Sequence, residues 1–283
     1  MKQKFILWNL LLYLPIIVLS LVITVPIYWL VMPSFEPSSE MFSYPPKLFP
    51  RVITLKHYLD LIVTYPKTLT VNMPLYIRNS LIISIGASII GVMISVLAGY
   101  TLSRVIFKGK SFIKIIILAT QMMPAVLFFI PIYLMIKKIG LINNLISLIL
   151  IYPGIVAPFA TIMSEAYISA IPYEIEEVAM IDGASVLRII FRIIFPLSAP
   201  LIVAIFTYSF VWTWNDLIIA LVLCHANEVR TASVGLFGFI GAATTEWGGL
   251  LAGTVLCMLP PLIMFSIFQK HMIRGILAGS IKA

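Results

Sequence analysis

Glu174, Glu176, Glu177 and Asp182 fall within nine positions of a chain that contains only eleven acidic residues. A polar island between long apolar runs is either a loop given to water or a surface on which another protein docks. Catalysis there would need a metal, a dyad or a triad. His57, His225 and His271 are scattered, Cys224 and Cys257 are isolated, and none of them has a metal-ligand spacing. The expectation is therefore no catalytic residue, no metal and no cofactor bound by this chain.

The order within the island favours docking. Pro172 suits the first turn of a helix, and Glu174, Glu176 and Glu177 follow where the positive end of the helix dipole favours anions. Ile175, Val178 and Ala179 make an apolar face beside an acidic edge of Glu174 and Glu177. Gly183 stands where a left-handed residue ends the helix. Ser185 can cap a second helix carrying Arg188 and Arg192 on one face, and Pro196 closes it. The prediction is helix, tight turn, helix over residues 171–199.

The elements that must hold this segment are apolar. The chain is 61% hydrophobic and 11% charged with a mean hydropathy of +1.09, which is a polytopic membrane composition rather than a soluble one. The fold class expected is all-α, with six transmembrane helices at about 8–32, 81–103, 113–136, 145–170, 200–223 and 249–268 in a single domain, 1–283. The first run follows Lys2 and Lys4 and is too long for a signal-peptide core, so it reads as a span. A polar loop rich in proline and aromatics occupies 33–79.

Ser84, Ser88, Gly91, Ser95 and Gly99 form a small-residue stripe on the second span, along which another helix can approach closely. Pro124 and Pro131 in the third span, and Pro153 and Pro158 in the fourth, free carbonyls that need protein or a water-filled cavity as cover; these helices are expected to line a path. Glu165 lies near the end of the fourth span, as an interfacial anchor or as part of that path. The fifth span holds Tyr208, Trp212, Asn215 and Asp216. Either these residues line a path through the membrane, or they form packing contacts and a Trp-rich interfacial belt.

Arg104, Lys108, Lys110 and Lys114 crowd a short loop without an acid, the positive-inside pattern of a cytoplasmic loop. Within it Gly109, Lys110 and Ser111 match the tail of a P-loop, but Arg104 occupies the first glycine position and no strand precedes it. Any ATPase must therefore be a separate chain. Six spans with the N-terminus inside place both termini and the acidic island in the cytoplasm of a plasma or inner membrane.

Glu177, Val178, Ala179, three residues, Gly183, nine residues, then Ile193, Ile194, Phe195 and Pro196 resemble the cytoplasmic signature of ABC-importer permeases. That signature is Glu-Ala-Ala, three residues, Gly, nine residues, Ile-x-Leu-Pro. Val178 replaces an alanine and Phe195 a leucine, both apolar exchanges. The runs AGYTLSR (98–104), IPIYLMIKKIGLINN (130–144), WND (214–216) and GILAGSIKA (275–283) extend the resemblance to the smaller permease subunit of binding-protein-dependent sugar importers, the group containing the maltose system.

The resemblance implies a heterodimer with a second permease subunit, two cytoplasmic ATPases that use ATP and Mg, and an extracytoplasmic solute-binding protein. It makes the helix of Glu176, Glu177, Val178, Ala179, Asp182 and Gly183 the coupling helix, with Glu177 facing a basic residue of the ATPase. Ile193 and Pro196 complete the signature. The loop before the sixth span would meet the binding protein, and the tail with Gly279 and Lys282 would reach the ATPase pair. A non-sugar solute, or an ion-coupled carrier or channel, are the competing readings; the latter has only Asp216, Glu165 and Gln121 as intramembrane polar candidates.

Overall fold

A computed structural model describes residues 2–45, 48–64, 71–241 and 245–280, with side chains between Tyr13 and Lys270 except those of Ala125 and Val126. Among the described residues the chain is helical, with one isolated bridge, Ile240 to Thr245, and no strand. Two compact units are present: Met1–Pro74 with Leu236–Met258, and Leu75–Gly235 with Leu259–Ala283.

The first unit opens with α1, Lys2–Val31, whose described side chains are almost all exposed, as an apolar helix is when lipid or another chain is to surround it. A short helix, α2 (Lys56–Leu59), carries His57, which is buried. The His57 ring hydrogen-bonds the Glu36 carbonyl at 2.9 Å and lies where a Cβ on Gly248 would fall, 2.2 Å away, so only glycine fits there.

The second unit is organised on two long helices, α3 (Met73–Arg104) and, after the broken pair α4 (Lys110–Met122) and α5 (Phe129–Lys138), α6 (Leu145–Ser169). A Cβ on Gly86 would touch Ile149, one on Gly91 Val156 and one on Gly99 Ser164, so α3 and α6 run parallel, side by side. At Gly99 the hypothetical Cβ would lie 2.3 Å from the Ser164 Cβ, which is why the stripe needs a residue without one. Ser84, Ser88 and Ser95 on α3 are buried, and their hydroxyls have no hydrogen-bond partner among the described residues.

Parallel neighbours require the chain between them to return. Lys114 of α4 reaches Glu165 near the end of α6, while α5 shares a core cluster with Leu145, Leu148 and Ile149 near its start. The return is not one helix, as expected over 113–136: it breaks at Met123, extended with ψ 131°, just before Pro124. The residue before a proline is pushed out of the helical region, and a 3-10 turn, Ala125–Phe128, precedes α5.

Two short helices, α7 (Glu174–Ile181) and α8 (Val186–Ile189), follow α6. The second does not stop at Pro196. It continues through a π segment, Ile190–Ile194, into α9 (Phe195–Leu197) and meets α10 (Ala199–Asn215) at an 81° bend. The bend falls at Ser198, between Pro196 and Pro200.

The expected fifth span, 200–223, is likewise interrupted. α10 ends at Asn215, Asp216 is extended, and α11 (Ile218–Leu223) follows. α10 and α11 run antiparallel to α6, with Tyr208 on Phe159, Trp212 on Tyr152, and the Leu223 carbonyl accepting from Asn143 N–H at 2.8 Å. A short helix α12 (Ala232–Phe237) and the long α13 (Trp247–Ser280) complete the chain.

By length and composition four described helical segments can cross a membrane: Tyr13–Phe35, Met73–Arg104, Leu145–Ser169 and Trp247–Lys270. The pair bent at Ser198, Val186–Leu197 with Ala199–Asn215, makes a fifth if its two halves form one span.

Candidate functional site

The site is α7 with its two flanking turns. Pro172 precedes the helix rather than opening its first turn; Tyr173 is the N-cap residue, and its carbonyl accepts the Glu176 and Glu177 N–H groups at 2.8 and 3.1 Å. At the other end Gly183 adopts φ +77°. Its N–H donates to Met180 O at 3.0 Å and Ala184 N–H to Ala179 O at 2.9 Å, the paired bonds of a Schellman turn. Ser185 then caps α8, accepting from Arg188 N–H at 3.4 Å.

The helix is turned differently from the amphipathic expectation. Ile175 and Val178, read as its apolar face, are exposed, Val178 at 61% and Ile181 at 85%, together with Glu174, Glu177 and Asp182. Ala179 is half-buried against the core cluster of Ile168, Ile189 and Ile194. The side chain that goes fully inside is Glu176, at 0% exposure.

Glu176 is therefore not an outward contact. Its Oε1 accepts from Arg104 Nε at 2.6 Å and its Oε2 from the Tyr100 hydroxyl at 2.8 Å. Arg104 also donates from Nη2 to the Ile171 carbonyl at 2.7 Å, and its guanidinium lies 5.6 Å from the Tyr173 ring centroid. A buried carboxylate is tolerable only when paired and bonded on both oxygens, as here. Sequence reasoning placed Tyr100 and Arg104 in the AGYTLSR run and read Arg104 as a topological charge and as the residue that breaks the P-loop match, but it assigned neither a contact with Glu176. Their spacing, i and i+4 at the end of one helix, was the available signal.

Of the remaining signature residues, Ile193 is half-buried against the same core and Pro196 is exposed. Glu165 pairs with Lys114 at 2.7 Å. Gly279 falls on α13 beyond the described side chains, and Lys282 lies outside the described residues.

Tyr208, Trp212 and Asp216 share the side of α10 that faces α6. Their partners are internal: Tyr208 on Phe159 at 4.9 Å, Trp212 edge-on to Tyr152 at 5.8 Å, and Asp216 accepting from the Tyr152 hydroxyl at 2.9 Å. Asp216 also accepts from Ala220 N–H at 3.1 Å, capping the half-helix α11. Asn215 is exposed and donates back to the Val211 carbonyl at 2.8 Å. Ring packing and capping account for each of these contacts.

At the opposite end of this unit, neutral groups do the fastening. Asn79 donates to the Glu228 and Arg230 carbonyls, both at 3.0 Å, Ser80 accepts from Ala232 N–H at 2.8 Å, and Tyr76 donates to Asn227. Asn143, at φ +56°, accepts from Ala226 N–H at 2.9 Å. The segment from Cys224 to Gly235 is thus tied to the start of α3 and to the turn before α6.

A helical chain with several membrane-crossing segments, and a short exposed acidic helix between two of them, is built as a multi-pass component that works with another protein. The chain belongs to the family of binding-protein-dependent transport system inner membrane components, which matches residues 91–277. It is 32% identical over 265 residues to the inner membrane ABC transporter permease protein YcjP of Escherichia coli (strain K12), covering 93% of each chain. It is 31% identical over 278 residues to the trehalose/maltose transport system permease protein MalG of Thermococcus litoralis, covering 98% of each. Its fold matches the crystal structure of a bacterial ABC transporter involved in the import of the acidic polysaccharide alginate, with a TM-score of 0.78, 20% identity, and 93% and 96% of the two chains covered. It is a permease subunit; in such systems ATP hydrolysis belongs to a separate chain.

Proposed function

We propose that this chain is one of two permease subunits of an ATP-driven importer for a sugar or oligosaccharide, and that α7 is the coupling helix through which the ATPase drives it. The observation that carries this reading is the outward face of α7. Glu177 and Asp182 stand exposed beside Ile175, Val178 and Ile181, an acidic and apolar surface with no partner among the described residues. Such a surface fits a basic, apolar-lined cleft on another protein. The sugar class is supported by the trehalose/maltose relative.

On this reading the chain crosses the membrane six times, as α1, α3, the broken pair α4 and α5, α6, the pair α10 and α11, and α13. Both termini and α7 face the cytoplasm. Two ATPase subunits use ATP and Mg, and a solute-binding protein docks at the extracytoplasmic end. Closure of the ATPase pair moves α7, the attached spans rock, and the cavity opens outward; hydrolysis resets it. A near-complete switch requires ATP to favour one state by about 5.5 kcal/mol.

Glu177→Lys is expected to lower solute uptake by reconstituted transporter by about tenfold or more, a coupling loss of about 1.4 kcal/mol, while the spans stay folded. Uptake at the wild-type rate would sink the assignment of α7. Binding of candidate sugars to the solute-binding protein that co-purifies with the complex decides the substrate class.

A further inference from the structure

α7 has eight residues, too few to persist as a helix on its own. It is joined to α6 by a short link and to α8 by the Gly183 turn, but α3 reaches it only through side chains. Tyr100 and Arg104, one turn apart at the end of α3, occupy both oxygens of Glu176. The same guanidinium holds the Ile171 carbonyl ahead of α7 and lies beside Tyr173 at its cap. One arginine thus touches the link, the cap and the first turn of the helix.

We infer that Arg104 is a positioning residue for transport: paired with buried Glu176, it fixes α7 to the end of α3, so that displacement of α7 is delivered to α3 as well as to α6 and α8. The inference rests on the coupling role of α7. Two adjacent glutamates then have separate tasks, Glu177 facing the ATPase and Glu176 facing inward.

The test uses the complete transporter in proteoliposomes, with Cys224 and Cys257 replaced by alanine and spin labels on Ile106→Cys and Ile181→Cys, two exposed positions on either side of the pair. The distance distribution between the labels is expected to be narrow in the parent and to broaden in Arg104→Gln and in Glu176→Gln. Arg104→Lys, which keeps the charge, should restore it in part. ATP hydrolysed per solute moved should rise at least about fivefold in both glutamine variants, the lower end of couplings between sites.

A single substitution leaves one buried ion unpaired and can prevent folding. The double variant Arg104→Gln with Glu176→Gln leaves none, and is expected to fold, bind ATPase and still hydrolyse ATP without matching uptake. A distribution that stays narrow in these variants, or one that broadens while the ATP-to-solute ratio is unchanged, overturns the role of Arg104. A transporter that holds no ATPase even in the parent overturns the reading of α7 itself, and the label distances then report the clamp alone.

Discussion

The two ends of the second unit are fastened by different chemistry. At the α7 end the ties are charged, Arg104 with Glu176 and Lys114 with Glu165. At the other end they are amides and hydroxyls, Asn79, Ser80 and Asn143, bonded mostly to backbone. Removing one partner of a neutral bond leaves a single polar group unpaired, whereas removing one partner of a buried ion pair leaves a charge unpaired.

Gly99→Val tests what both ends depend on, the close crossing of α3 and α6. A Cβ there would lie 2.3 Å from the Ser164 Cβ and 2.8 Å from the Glu165 nitrogen, so the helices must separate. The expected cost is about 3 kcal/mol or more, read as loss of monodisperse protein in detergent.

The next two variants set one end against the other. Glu176→Ala leaves Arg104, only 12% exposed, without its counter-charge, at about 3–5 kcal/mol. Asn79→Leu strips two carbonyls of their donor at about 1–3 kcal/mol. Denaturation midpoints should rank them in that order, and amide exchange should rise near 171–176 in the first and near 226–232 in the second. Equal losses, or exchange spread over both ends in each, would break the distinction between the two ends.

Lys114→Ala is the mildest. Its side chain is 37% exposed, so the pair with Glu165 should contribute less than about 1 kcal/mol and should lose that contribution in high salt. A salt-independent loss would show that Glu165 is held by more than the charge.

Local chemistry was readable from residue types. Gly183 takes the left-handed turn expected of it and Ser185 caps the following helix, because both depend on neighbours within four positions. The rotation of α7 was not readable. An apolar face of Ile175, Val178 and Ala179 does not say which side is buried, and the side chain that goes inside is a carboxylate whose partner lies 72 residues earlier. Asp216 poses the same difficulty: it was legible as an ionisable group either deep in a span or in an interfacial belt, while its tie to Tyr152, 64 residues away, was not. Prolines marked where helices would be disturbed, at Met123 beside Pro124 and at Ser198 between Pro196 and Pro200, without telling a kink from a break or an 81° corner.

The unbonded hydroxyls of Ser84, Ser88 and Ser95 bear on how such a unit changes shape. Between its bonded ends, Asn79 and Ser80 at the start and Tyr100 and Arg104 at the other, α3 presents glycines and serines to its neighbours. Sliding α3 by a fraction of a turn trades one set of van der Waals contacts for another, and no hydrogen bond from these serines has to break first.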